Sequence, residues 1–233
     1  MIRHFLLLIA AAVMSAAPSV AQTRPAAASF ARTVTVTPQG AFVLGNPRAP
    51  VRLVEYLSYT CNHCAHFTET AIPALKRDYI AKGLVALELR NLVRDPFDLA
   101  AALLARCGGP SRVFALTEDM MARQAVWIAE AQLVAVKQES QLKAMPLGKQ
   151  LQTIAKGAGL LTIAQARGLS PAQANICLAN EQMNKTVLAM TKDAVDVRKI
   201  NSTPSFLINN QPGPRSSKWE DVEAAIRAAL EAR

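Results

Sequence analysis

The chain has 233 residues, of which 51% are hydrophobic and 18% charged, with a formal net charge of +9. That length supports one large domain or two small ones around a sizeable core, and the composition excludes a disordered or low-complexity chain. The positive charge comes without a dense Lys/Arg run or a basic stripe interleaved with aromatics, so it reads as a solvated surface and no nucleic-acid partner is expected.

Residues 1–21 read as a secretory signal. Arg3 and His4 form a short basic start, residues 5–17 an apolar run, and Ser19-Val20-Ala21 a small-residue cleavage site. The run is shorter than the roughly 20 apolar residues that span a bilayer. The expectation is export to the periplasm with no stable membrane insertion after cleavage, and removal of the signal lowers the net charge from +9 to +8. In an oxidising compartment the four cysteines become candidates for disulfides, though they are too few for a disulfide-dense mini-protein.

Residues 22–40, rich in Ala, Thr, Pro and Ser, read as a flexible lead-in. A short apolar piece over 41–44 ends at the turn signal Gly45-Asn46-Pro47. Residues 51–57 (VRLVEYL) predict a buried strand. After Cys61 and Cys64, Phe67, Ile72, Leu75 and Tyr79 recur at helical spacing up to Gly83, and residues 84–92 (LVALELRNL) predict a second strand, parallel to the first. From about residue 96 to 200 no strand is expected. This block predicts several helices, broken near Gly108-Gly109-Pro110, Met145-Pro146, Gly157 and Gly168, with Ser170-Pro171 as one helix start. Residues 205–208 (SFLI) predict a strand and 217–232 an amphipathic helix with Trp219, Val222, Ile226 and Leu230 on one face. The helical block thus interrupts one α/β domain. Met120, Met121, Met145, Met183 and Met190 read as core fillers of that block.

The chemistry concentrates at Cys61-Asn62-His63-Cys64. A C-x-x-C at a strand-to-helix junction places the first sulfur at a helix N-terminus, where free N–H groups and the helix dipole favour a thiolate. The second sulfur comes within disulfide reach, and the imidazole of His63 is expected to lower the Cys61 pKa further. A stabilised thiolate makes the disulfide more oxidising. Haem attachment is excluded, because Ala65 stands where that motif needs His. A metal site using Cys61, Cys64 and His63 or His66, or a purely structural disulfide, stays open on these residues alone. Glu55, six residues before Cys61 in an apolar strand, is expected beneath the cysteines as a buried acid with a raised pKa, serving Cys64 as a proton partner. Thr203-Pro204 precedes the last strand and on sequence alone favours a trans peptide.

Residues 55–64 (EYLSYTCNHC), the helical insertion and residues 201–210 (NSTPSFLINN) together resemble the thioredoxin superfamily and, within it, the DsbA-like periplasmic oxidoreductases. The resemblance extends from about Gly40 onward. It implies an α/β, thioredoxin-like fold with an inserted all-helical domain: first part 41–96, helical insertion 97–200, second part 201–233. It implies that Cys61 is the exposed nucleophile, Cys64 the buried resolving cysteine, His63 the pKa-lowering residue and Glu55 the buried acid. Pro204 would be the cis-proline facing the disulfide, and Thr203 the residue before it, in a loop that offers backbone groups to an extended substrate. Relatives with paired cysteines in the helical domain imply a structural disulfide between Cys107 and Cys177, closing a loop of about 70 residues worth about 4 kcal/mol in the chain-entropy model. Asn62 departs from the pattern, which usually has proline there. The implied activity is disulfide donation to reduced exported proteins, with a DsbB-like membrane reoxidant and neither cofactor nor metal. Two alternatives remain: an isomerase or reductase on the same fold, and a copper or zinc carrier using Cys61, Cys64 and His66.

Overall fold

The computed structural model describes residues 27–232; the secretory-signal reading lies outside them. A six-stranded mixed sheet has the order β1-β2-β4-β3-β5-β6. Its strands are β1 (Val34–Val36), β2 (Phe42–Gly45), β3 (Val51–Leu57), β4 (Val85–Asn91), β5 (Ser205–Ile208) and β6 (Gln211–Pro212). β3 and β4 are parallel, and every other neighbouring pair is antiparallel. β3 is the centre, with Glu55 between Leu89 of β4 and Phe206 of β5. Every residue of β3 except Arg52 is buried, as befits a central parallel strand covered on both faces.

Period-two alternation divides β3 between two cores. Leu53 and Leu57 face the larger one, which also holds Cys61, Cys64 and Phe67; Val54 and Tyr56 face a smaller one with Leu92, Ala194 and Leu207. Glu55 shares the side of Leu53 and Leu57, the side of the cysteines. Between β3 and β4 run α1 (Asn62–Thr70) and α2 (Ile72–Leu75), then a π-helical turn over Lys76–Ile80. Pro73 has no N–H to donate into the preceding turn, so the single helix expected up to Gly83 is broken after Thr70.

The helical block comprises α3 (Pro96–Cys107), α4 (Val113–Ala122), α5 (Gln124–Lys137), α6 (Glu139–Ala144), α7 (Leu147–Gly157), α8 (Leu160–Ala166), α9 (Pro171–Leu178) and α10 (Glu181–Lys192). α3 is buried from Asp98 to Arg106, and its alanines let α4, α7, α8, α9 and α10 approach closely. α4 and α5 pack on α1, which places the insertion over the cysteine-bearing helix. α9 starts in a Ser170–Gln173 capping box behind Pro171. The block does not stand apart from the sheet: beyond α10, Ala194 packs in the smaller core against Val54 and Tyr56. The chain closes with the β5–β6 hairpin, whose turn residues Asn209 and Asn210 have positive φ, and with α11 (Trp219–Glu231), which packs on β3 and β5 through Val222 and Ile226.

One expectation needs correction. Residues 22–40, read as a flexible lead-in, contribute β1 as well as a 3-10 turn over Ala27–Arg32. Val34–Val36 pairs with Leu44–Phe42 and covers the otherwise open edge of β2, so tertiary pairing overrides the loop-like composition.

Candidate active site

β3 ends at Leu57, the chain turns through Ser58-Tyr59-Thr60, and Cys61 takes the N-cap position of α1 with extended φ and ψ. The helix then brings Cys64 round one turn later. Both are free thiols here. The sulfur of Cys61 is held as a thiolate well below its ordinary range, with a pKa of about 5. The largest cause is a hydrogen bond from the Cys64 thiol. Burial opposes it, and the backbone N–H groups of Cys64 and His63 assist it. When protonated, the Cys61 thiol donates to the Thr203 carbonyl at 3.1 Å. Cys61, expected as the exposed cysteine, is only 3% exposed, because the Thr203–Pro204 loop lies against it.

Cys64 has the opposite character. It is fully buried, and its thiol is pushed far up, first by burial, then by its hydrogen bond to Cys61 and by the charge of Glu55. Glu55 is 1% exposed, and its Oε1 has no hydrogen-bond partner among the described residues. Burial, and next the Cys61 thiolate, raise its pKa from 4.5 to about 8. At neutral pH the trio is therefore a thiolate, a thiol and a neutral carboxylic acid: one sulfur ready to carry charge, the other with a proton source or sink beside it.

The side chain of His63 is exposed, and its backbone N–H is among the groups that favour the thiolate. That N–H also donates to Asn62 Oδ1 at 3.0 Å, so the asparagine at the usual proline position competes with the sulfur for one donor. His66 is exposed on α1, and no cluster of three or more His, Cys, Asp or Glu side chains suited to a metal exists among the described residues. The Thr203–Pro204 peptide is cis, against the sequence-only expectation and in line with what the resemblance implies. Phe206, two residues on in β5, packs in a tilted contact at 4.8 Å against Phe67 of α1 and ties this loop to the cysteine helix. Away from the site, Cys107 at the end of α3 is disulfide-bonded to Cys177 of α9.

Sequence reasoning missed a set of buried polar groups around the Ser58–Cys61 turn. Asp98, fully buried in α3, accepts from the Ser58 hydroxyl at 2.5 Å, the Tyr59 N–H at 2.7 Å and the Arg94 N–H at 3.0 Å. Burial raises its pKa to about 7 against these three donors. Gln124, the first residue of α5, donates its amide to the carbonyls of Tyr59 and Cys61 at 2.8 and 2.9 Å. The Tyr59 hydroxyl pairs with Thr117 of α4 at 2.7 Å. The one signal in the sequence was an acid and an amide, Asp98 and Gln124, amid apolar helix positions.

A sheet carrying a C-x-x-C pair at a strand-to-helix junction, opposite a cis-proline loop and under a helical insertion, defines a thioredoxin-like fold with an inserted helical domain. The Thioredoxin family model matches residues 37–228, and the chain belongs to that family. It is 32% identical over 192 residues to a Rickettsia typhi protein named as a protein-disulfide oxidoreductase, covering 81% of this chain and 62% of that one. It spans about three fifths of the length of the curated relatives it matches. Among solved structures, the protein-disulfide isomerase from Novosphingobium aromaticivorans superposes with a TM-score of 0.74 at 34% identity, covering 81% of this chain and 96% of that one. Wolbachia pipientis alpha-DsbA1 shares the fold, with a TM-score of 0.63 at 20% identity over 84% and 96% of the two chains. No helix among the described residues is long and apolar enough to cross a membrane.

Proposed function

We propose that this chain is a thiol–disulfide oxidoreductase that donates the Cys61–Cys64 disulfide to reduced exported proteins in the periplasm. The observation that carries the reading is the opposed character of the two sulfurs, Cys61 with its pKa lowered to about 5 and Cys64 held as a thiol. Such a pair stabilises the reduced enzyme and makes its disulfide a strong oxidant.

A substrate thiolate attacks Cys61 Sγ, the Cys61–Cys64 bond breaks, and its electron pair goes to Cys64, which takes a proton from neutral Glu55. A second thiolate of the substrate attacks the substrate sulfur of the mixed disulfide and expels Cys61 as a thiolate. The substrate loses two electrons and two protons; the enzyme keeps both electrons and one proton, on Cys64, once Glu55 has been reprotonated. The Thr203 carbonyl beside Cys61 is the acceptor against which an extended substrate pairs, with Pro204 fixing the loop. A DsbB-like membrane oxidant restores the disulfide.

The name of the Novosphingobium structure favours a second reading, isomerisation on the same fold, in which Cys61 thiolate attacks misformed disulfides. Either reading needs Cys61. Cys61→Ser and Cys64→Ser are each expected to abolish oxidation of a dithiol peptide, since neither variant holds a disulfide to donate; offered a disulfide-bonded peptide, Cys64→Ser is expected to accumulate the mixed disulfide formed when Cys61 attacks it. Full activity in Cys61→Ser would overturn the proposal.

A further inference from the structure

The turn that carries the nucleophile is gripped from two sides by groups of opposite polarity. Its donors, the Ser58 hydroxyl and the Tyr59 N–H, end on Asp98. Its acceptors, the Tyr59 and Cys61 carbonyls, receive the single amide nitrogen of Gln124. Both side chains are buried, Asp98 completely and Gln124 to 7% exposure, and the bonds they make to this turn go to the Ser58 hydroxyl, the Tyr59 N–H and the Tyr59 and Cys61 carbonyls, with none to a cysteine sulfur. Both belong to the helical block, at the start of α3 and of α5.

We propose that Asp98 and Gln124 are positioning residues for Cys61, a two-sided clamp through which the helical insertion fixes the nucleophile against the first turn of α1. The inference deepens the thiol–disulfide reading and rests on it. Packing alone does not call for these groups: a buried carboxylate and a buried amide cost desolvation that apolar side chains of similar size would avoid. What they achieve is local. The Cys61 carbonyl held by Gln124 also accepts the Ala65 N–H at 3.1 Å, the bond that opens α1. Moving that carbonyl tilts the turn whose next N–H groups, on His63 and Cys64, point at the sulfur. On the other side, Ser58 is the hinge: its carbonyl accepts the Cys61 N–H at 3.2 Å, and its hydroxyl is seated on Asp98. Loss of either grip frees the thiolate from donors that act only at short range.

The test is the thiolate titration of Cys61, followed by ultraviolet absorbance in the full chain, with Cys61→Ser as the blank. Gln124→Met keeps the volume and removes both donated bonds; Asp98→Asn keeps the shape but turns a donor toward donors. Each is expected to raise the Cys61 pKa by about one unit, a thiolate-to-thiol ratio about tenfold smaller at a given pH, in protein whose far-ultraviolet dichroism is unchanged. Ser58→Ala, a milder change, is expected to move the titration in the same direction by less, and it decides the matter should Asp98→Asn fail to fold. Folded variants that titrate as the wild type would overturn the clamp. A wild type that oxidises dithiol peptides beside such variants leaves the function intact and removes only the clamp, whereas an inactive wild type removes the function itself.

Discussion

Three titratable groups, Cys61 and Cys64 at the start of α1 and Glu55 of β3, are displaced in directions that fit together. The Cys61 thiol lies low because donors surround it, whereas the Cys64 thiol and the Glu55 carboxyl lie high because burial denies them charge. Glu55 gives a signed expectation. Its carboxyl titrates near 8 in the fold against 4.5 in an open chain, so the unfolded state releases its proton first as pH rises, and stability is lost across that window. Burial, the larger cause, persists in the disulfide form. Oxidised Glu55→Leu is therefore expected to exceed the wild type in unfolding free energy at pH 8 by up to a few kcal/mol, the advantage shrinking toward pH 4. Denaturant titrations at both pH values measure it, and a difference independent of pH would contradict the assignment. Glu55→Gln, which cannot pass a proton, is expected to slow exchange by at least about tenfold. Glu55 was legible in the sequence because period-two alternation puts it on the side of Leu53 and Leu57. Asp98 and Gln124 were not: they reach the turn from 39 and 65 residues away, and no spacing rule links a helix start to a distant carbonyl.

At the scale of elements, strands that are buried on both faces announced themselves. β3 and β5 are mostly apolar and β4 alternates apolar residues with Glu88 and Arg90, and Gly and Pro marked most of the helix breaks. β1 and β6 escaped because three residues and two residues carry no period, and their structure comes from pairing with β2 and β5. The Cys107–Cys177 bond ties α3 to α9 across a sequence separation of 70. Replacing both cysteines with alanine is expected to cost about 2–4 kcal/mol of stability in chemical denaturation. The Cys61 thiolate titration is expected to stay unchanged, since neither sulfur touches the Ser58–Cys61 turn. A shifted titration would show that the insertion communicates with the site through α9 as well as through α3 and α5.

Across the whole molecule, the sheet supplies the acid and the cis-proline loop, α1 supplies the thiolate's donors, and the insertion holds the turn that joins them. Reduction moves the free energy of this assembly in a defined direction. The reduced fold carries a Cys61 thiolate from about pH 5 upward, while the unfolded chain keeps that thiol protonated to about 9. Reduction therefore adds stability that grows with pH through this window, by about 1.4 kcal/mol for each pH unit. A fold that gains stability on reduction must have a disulfide that oxidises others readily. The reduction potential of the Cys61–Cys64 pair is thus the most direct measurement, by equilibration with glutathione buffers while Cys107 and Cys177 are followed separately by mass. A disulfide donor is expected near −120 mV. A value near about −270 mV, as in thioredoxin, would contradict the donor role and point to a protein that works reduced.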